Sequence, residues 1–181
     1  MKKTILSFLI AAISLTSFSQ KKTTTSAIIS FDATTAIDAL PKAENKTVVA
    51  ALDTKSGTVQ FEATIKNFAF TNPRIQEHFN NSTWMNSDEF PLSTFKGVIT
   101  NLKKVKFEKD GTYTANVEGD LTIHGETQKI STEATIIVLG KSINATCSFS
   151  VKLEDYKVNG PAVGAGKVSK EPNITITAEF N

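Results

Sequence analysis

The residues able to do chemistry in this chain are few and scattered. They are two histidines, His78 and His124, one cysteine, Cys147, and carboxylates in ordinary loop positions. A metal centre asks for several His, Cys, Asp or Glu ligands at matched spacing. His78 and His124 stand far apart in the sequence, and His124 falls at a turn beside Gly125. Both read as structural or surface residues. Cys147 lies between Ala145 and Phe149 on the apolar side of an alternating run, where a thiol behaves as a small hydrophobe. A cysteine nucleophile needs a neighbouring base and a depressed pKa, and no nearby residue supplies either. Asp38 with Glu44, and Asp88 with Glu89, form no paired-carboxylate signature, and nucleophile elbows, phosphate loops and dinucleotide fingerprints are missing. Arg74 and His78, four residues apart on a helical-looking stretch, are expected to order that stretch against Asp88 or Glu89. The reading is of a chain that binds rather than catalyses, with no metal and no cofactor.

Positioning falls to strands. Val59, Phe61, Ala63 and Ile65 alternate with Gln60, Glu62, Thr64 and Lys66. The same period of two runs from Tyr113 to Ile123, from Ile143 to Leu153 and from Ile174 to Phe180. Such alternation makes one dry and one wet face. Lys55-Ser56-Gly57, Asp110-Gly111, His124-Gly125 and Gly140-Lys141 supply reversal points between the runs. Strands at this spacing predict an antiparallel sandwich or barrel, and their length favours a barrel, whose closure removes exposed edges. Two stretches break the pattern. Residues 72–91 open with Asn72-Pro73, predict a short helix near 73–86, and carry Trp84, Met85 and Phe90 as candidates to cap something apolar. Residues 159–171, with Gly160, Pro161, Gly164 and Gly166, read as a mobile loop before the last strand.

Lys2 and Lys3 precede an apolar run from Ile5 to Leu15, and small residues at Ser17 and Ser19 suit a signal peptidase site. Residues 1–19 are therefore expected to be a signal peptide, and 20–181 a single domain exported to the periplasm or beyond. The run is shorter than the roughly 20 residues a membrane-spanning helix needs, and no second such run follows, so no transmembrane span is expected. The chain holds 20 Lys and Arg against 18 Asp and Glu; without Lys2 and Lys3 the balance is 18 to 18. A near-neutral domain lacks the basic stripe that nucleic acid binding demands. With one cysteine there is no intrachain disulfide, so stability must come from the core.

The most specific strings lie in two places. Arg74, His78-Phe79, Asp88, Phe90-Pro91 and Phe95 occur in that order, and Gly119-x-Leu121-Thr122-Ile123-x-Gly125 follows on a later strand. In these the sequence resembles the YceI-like family over roughly residues 57–180. It departs from the common pattern at the start, where Ala27-Ile28-Ile29-Ser30-Phe31-Asp32 leads into Ala36-Ile37-Asp38-Ala39-Leu40 in place of a tryptophan-led strand. The resemblance implies an all-β, extended, lipocalin-like antiparallel barrel, exported, in a family some of whose members bind polyisoprenoid lipids.

A lipid needs a dry interior free of buried charge, and the inward faces contain almost no ionisable group. Each buried CH₂ of a ligand gains roughly 0.8 kcal/mol. The ligand, an isoprenoid-type lipid or quinone, is expected to be lined by Phe61, Ile65, Phe95, Val117, Leu121, Ile136, Cys147, Phe149 and Ile176, with Phe79 and Trp84 at the mouth. The same residues would equally fill a solid barrel core. In that alternative the loops bind a protein or glycan, with the Trp84-Met85 segment as contact surface. A homodimer is compatible with either.

Overall fold

The computed structural model describes residues 21–181. The expected signal peptide lies outside the described residues.

Nine strands form: β1 (Lys21–Asp32), β2 (Lys42–Asp53), β3 (Thr58–Thr64), β4 (Ala69–Phe70), β5 (Leu92–Ile99), β6 (Gly111–Ile123), β7 (Glu126–Leu139), β8 (Ser142–Ser150) and β9 (Asn173–Phe180). Eight of them run in the order β1-β9-β8-β7-β6-β5-β3-β2, and β1 pairs again with β2, which closes an antiparallel barrel. The short β4 adds to β2 at Ala43 and Glu44, above the point where β2 pairs with β3. Closure rests on β1, which pairs with β2 along its length and with β9 from Ile28 to Asp32. Register shifts near Ala27 bend β1 between these neighbours.

The hairpin turns fall where the sequence placed them. His124 and Gly125 take φ of 52° and 76° between β6 and β7, and Gly140 takes 59° between β7 and β8. These are the left-handed values that two-residue hairpins require.

The two ends of the barrel differ. At the first, the β2–β3 and β7–β8 turns and the β5–β6 connection are compact. Here the inward residues Leu52, Ile99, Ala115, Val138, Ile143, Ala178 and Phe180 are buried. At the second lie three connections, residues 33–41, 65–91 and 151–172, the last two of them long. Inward residues near this end, among them Ile29, Phe61, Leu121, Ile130, Phe149 and Ile174, are only half-buried. The barrel is sealed at one end and loosely filled at the other.

The alternation from Val59 stops one residue early. β3 ends at Thr64, and Ile65 turns into a single 3₁₀ turn (Ile65–Asn67), where it is 2 % exposed. Asn45, fully buried on β2, fixes this point: its Nδ2 donates to the Thr64 carbonyl at 2.9 Å, and its Oδ1 accepts from the Thr47 N–H and hydroxyl. A polar side chain so placed is affordable because both its amide nitrogen and its amide oxygen have partners.

Candidate ligand site at the open end

Helix α1 (Pro73–Asn80) roofs the open end. Asn72 caps it, its side chain accepting from the Arg74 N–H at 2.9 Å, and Pro73 occupies the first turn, where a missing N–H is harmless. The expected helix near 73–86 is thus eight residues of helix followed by turns. Its buried residue, Phe79, enters an aromatic cluster. Its ring centroid lies 4.9 Å from Phe70, 5.9 Å from Phe68 and 6.0 Å from Phe31, all in tilted geometry. Such pairs add about 0.5–1.5 kcal/mol each beyond area burial.

Outside this cluster lies a groove of about 490 Å³. Phe31, Phe70, Ile75, Phe79, Trp84 and Val168 form its apolar walls, and Asp38, His78, Asn81, Thr83 and Lys167 stand around it. Trp84 is seated by Gly160: a Cβ at that position would lie 2.0 Å from the indole Cε3. The stretch 159–171, read from sequence as a mobile loop, carries the short helix α2 (Pro161–Gly164) and bonds to the residue that follows β1, Ser169 N–H to the Ala33 carbonyl, 2.8 Å.

Inside the cluster lie two narrow voids. The deeper, about 70 Å³, is lined by Phe61, Phe95, Val117, Leu121, Ile136, Cys147, Phe149 and Ile176 together with Val59, Ile130 and Phe180. The upper, about 80 Å³, shares Phe61, Phe95, Leu121, Phe149 and Ile176 and adds Ile29, Phe68, Ile123 and Ile174. Eight residues expected to line a ligand therefore face this interior, and Phe79 and Trp84 face the groove. Ile65 is buried in its turn and borders none of the three. Sequence reasoning missed Ile130 and Ile174, whose parity with Ile136 and Ile176 carried the signal. It also missed Phe31, Phe70 and Val168, which come from β1, β4 and the 151–172 connection and show no common pattern.

The two histidines and Cys147 occupy three separate places: His78 borders the groove, Cys147 faces the lumen, and His124 sits in the β6–β7 turn. His124 Nδ1 lies 3.2 Å from the Tyr156 carbonyl, which can only accept, so the ring nitrogen carries its proton there. Phe90 packs edge-on against this imidazole at 4.5 Å. Arg74 and His78 do not meet Asp88 or Glu89: Asp88 pairs with Lys66 at 2.5 Å, and Glu89 accepts from the Asn86 amide at 2.6 Å. The expected ordering contact is therefore replaced by the aromatic packing of Phe79. Burial pushes the Cys147 thiol up to about 11. Among the described residues no group of three or more His, Cys, Asp or Glu could hold a metal ion. No helix among them is long and apolar enough to cross a membrane.

The strings that carried the family resemblance have a physical role. Gly97 and Gly119 are paired across β5 and β6, and the tip of the Phe95 ring lies over both. A Cβ at Gly119 would come within 2.5 Å of Gly97 Cα and 2.7 Å of Phe95 Cζ.

A closed, lipocalin-shaped barrel with an apolar lumen and a roofed mouth is the class that this geometry defines. The sequence profile of the YceI-like domain matches residues 11–180, and the chain belongs to that family. No curated protein matches it in sequence. Among solved structures it is similar to a polyisoprenoid binding domain from Saccharophagus degradans implicated in plant cell wall breakdown, with TM-score 0.75 and 10 % identity over 90 % of this chain and 98 % of that one. Burkholderia cenocepacia BcnA gives 0.70 at 16 % identity, covering 86 % and 96 %. The Campylobacter jejuni YceI protein gives 0.54 at 17 %, covering 100 % and 99 %. At such identities the likeness is one of fold.

Proposed function

We propose that this protein is an exported carrier that holds an isoprenoid-type lipid or quinone in its lumen, rather than an enzyme. One observation supports the reading above others: the inward apolar residues at the open end are left half-buried and lead to an apolar groove. Apolar side chains still in reach of water inside a concavity gain roughly 25 cal/mol for each Å² that a ligand covers. The neighbour from Saccharophagus degradans, described as a polyisoprenoid binding domain, makes that ligand class the first to try. The groove has the volume of a small-molecule site, typically about 300–1,000 Å³. The lumen voids, at about 70 and 80 Å³, do not. A long chain would therefore enter past Phe79 and widen the lumen by turning the Phe61, Phe95 and Phe149 rings. Those small volumes also favour a second reading, a barrel filled by its own side chains whose open-end loops bind a protein or glycan.

Native and denaturing mass spectra of protein purified without detergent separate the two. The carrier reading expects a discrete extra mass that denaturation releases. A bare mass that stays bare after incubation with prenyl alcohols and prenylquinones of increasing length would overturn it in favour of the filled barrel.

A further inference from the structure

The charges of this barrel are sorted by end. Residues 21–181 carry 18 basic and 18 acidic side chains. The sealed end holds Lys21 and Lys22 where β1 begins, Lys55 in the β2–β3 turn and Lys141 in the β7–β8 turn. Its β5–β6 connection adds Lys103, Lys104, Lys106 and Lys109, making eight lysines. Four carboxylates share that end, Asp53, Glu108, Asp110 and Glu179. Three of these are occupied locally. Asp53 accepts from the Lys55 and Ser56 N–H groups at 2.9 and 3.0 Å, Asp110 from the Gly140 N–H at 2.8 Å, and Glu179 from the Ser142 hydroxyl at 3.3 Å. The ion pairs Lys42–Asp32, Lys46–Glu44, Lys66–Asp88, Lys129–Asp120, Lys152–Glu154 and Lys157–Glu126 all lie toward the open end. Among the described residues, Lys55, Lys103, Lys104, Lys106, Lys109 and Lys141 meet no carboxylate within ion-pair distance.

The lysines form one surface. Lys55, Lys103, Lys106 and Lys109 border a single depression with Leu102 and Phe107. The Asp110–Gly140 bond ties this connection to the β7–β8 turn, and Lys22 Nζ donates to the Lys141 carbonyl at 2.8 Å. Leu139, 60 % exposed, stands beside them.

We propose that the sealed end is a docking surface for an anionic bilayer. Lysines drawn from three separate connections and from the start of β1 spread across the whole end of the barrel, which fits a broad charged plane better than a narrow ligand. An anionic surface attracts each ammonium group that comes within a Debye length of it, about 8 Å at physiological salt. Lysine stems, with Leu139 and the half-buried Phe107, supply apolar area at headgroup depth. In this pose the groove faces away from the bilayer, so cargo is exchanged on the aqueous side. The inference does not depend on what the lumen holds.

The test is co-sedimentation of the full chain with vesicles of phosphatidylcholine alone and of phosphatidylcholine with 30 mole per cent phosphatidylglycerol (about a third charged, as a strongly anionic surface). Capture by the anionic vesicles is expected, with loss in high salt. Lys103, Lys104, Lys106 and Lys109, all changed to Gln, should weaken capture roughly 100-fold or more. Lys129, Lys152, Lys157 and Lys170 changed to Gln alter net charge equally at the other end and should leave it intact. Equal losses in both variants, equal capture by both vesicle types, or no capture would overturn the proposal. So would retention by soluble duplex DNA or heparin without capture by vesicles, which would make the patch a polyanion site.

Discussion

At the residue scale, two positions carry measurable consequences. Gly119 has no room for a methyl group: Gly97 Cα and the Lys96 carbonyl oxygen would each lie 2.5 Å from it. Gly119→Ala is therefore expected to cost about 2–3 kcal/mol in urea unfolding, the range of forced overpacking. Adding Phe95→Ala should not restore stability, because the backbone contacts remain; a full rescue would mean the ring alone sets the requirement. Cys147 gives a pH dependence. Its thiol ionises near 9.0 in an unfolded chain and near 11 in the barrel, burial being the cause. Between those values the unfolded chain binds fewer protons than the folded one, so stability falls as pH rises. The loss from this one group approaches about 2–3 kcal/mol by pH 11. Tyr156, pushed up to about 12 by burial and then by the charge of Asp155, extends the decline upward. Cys147→Ala should flatten the fall between pH 9 and 11, and parallel curves for the two proteins would sink the argument.

At the element scale, α1 and the 159–171 stretch act as a roof over the lumen, and Phe79 is the ring that separates groove from lumen. Phe79→Ala is expected to lower stability by about 3–5 kcal/mol, as for other buried phenylalanines. It should also speed both uptake and release of a fluorescent polyene fatty acid in stopped flow, while Kd changes less. Uptake slowed or unchanged would show that ligands reach the lumen by another route. The strands were legible because a period of two and turn glycines are local signals, as β6, β8 and β9 show. β2 was hidden by its own irregularity. Its buried residues Ala43 and Asn45 keep one phase, and Val48, Ala50 and Leu52 resume three residues later in the other. A change of phase next to an inward asparagine does not read as alternation. The groove was hidden for another reason: Phe31 on β1, Phe79 on α1 and Val168 in the 159–171 stretch come together only once the barrel closes. Phe79 and Trp84 were visible as aromatics in a break of pattern, whereas their partners were not.

At the scale of the whole molecule, the barrel divides along its axis into a sealed, well-packed basic end and a roofed, loosely filled end richer in carboxylates. Packing of this kind predicts a gradient of local stability, since segments with fewer buried apolar contacts open at lower free energy. In native-state hydrogen exchange the amides of Ala134–Val138, Ile143–Ala145 and Ala178–Phe180 should exchange slowest, being paired in β7, β8 and β9 where the core is sealed. Those around Ile123–Ile130 and Ile174–Ile176, beside the half-buried lining, should exchange faster although they are also strand-paired. Ligand bound only to the native state adds RT ln(1 + [L]/Kd), about 2.7 kcal/mol at a hundredfold excess over Kd. If the lumen is the site, a prenyl ligand should slow the open-end amides more than that global gain slows the sealed-end ones. If the groove alone is occupied, protection should concentrate in α1 and the 159–171 stretch and leave β6 to β9 with the global gain only. Uniform exchange along each strand in the free protein would contradict the gradient itself, and with it the view that the open end is left underfilled to receive a guest.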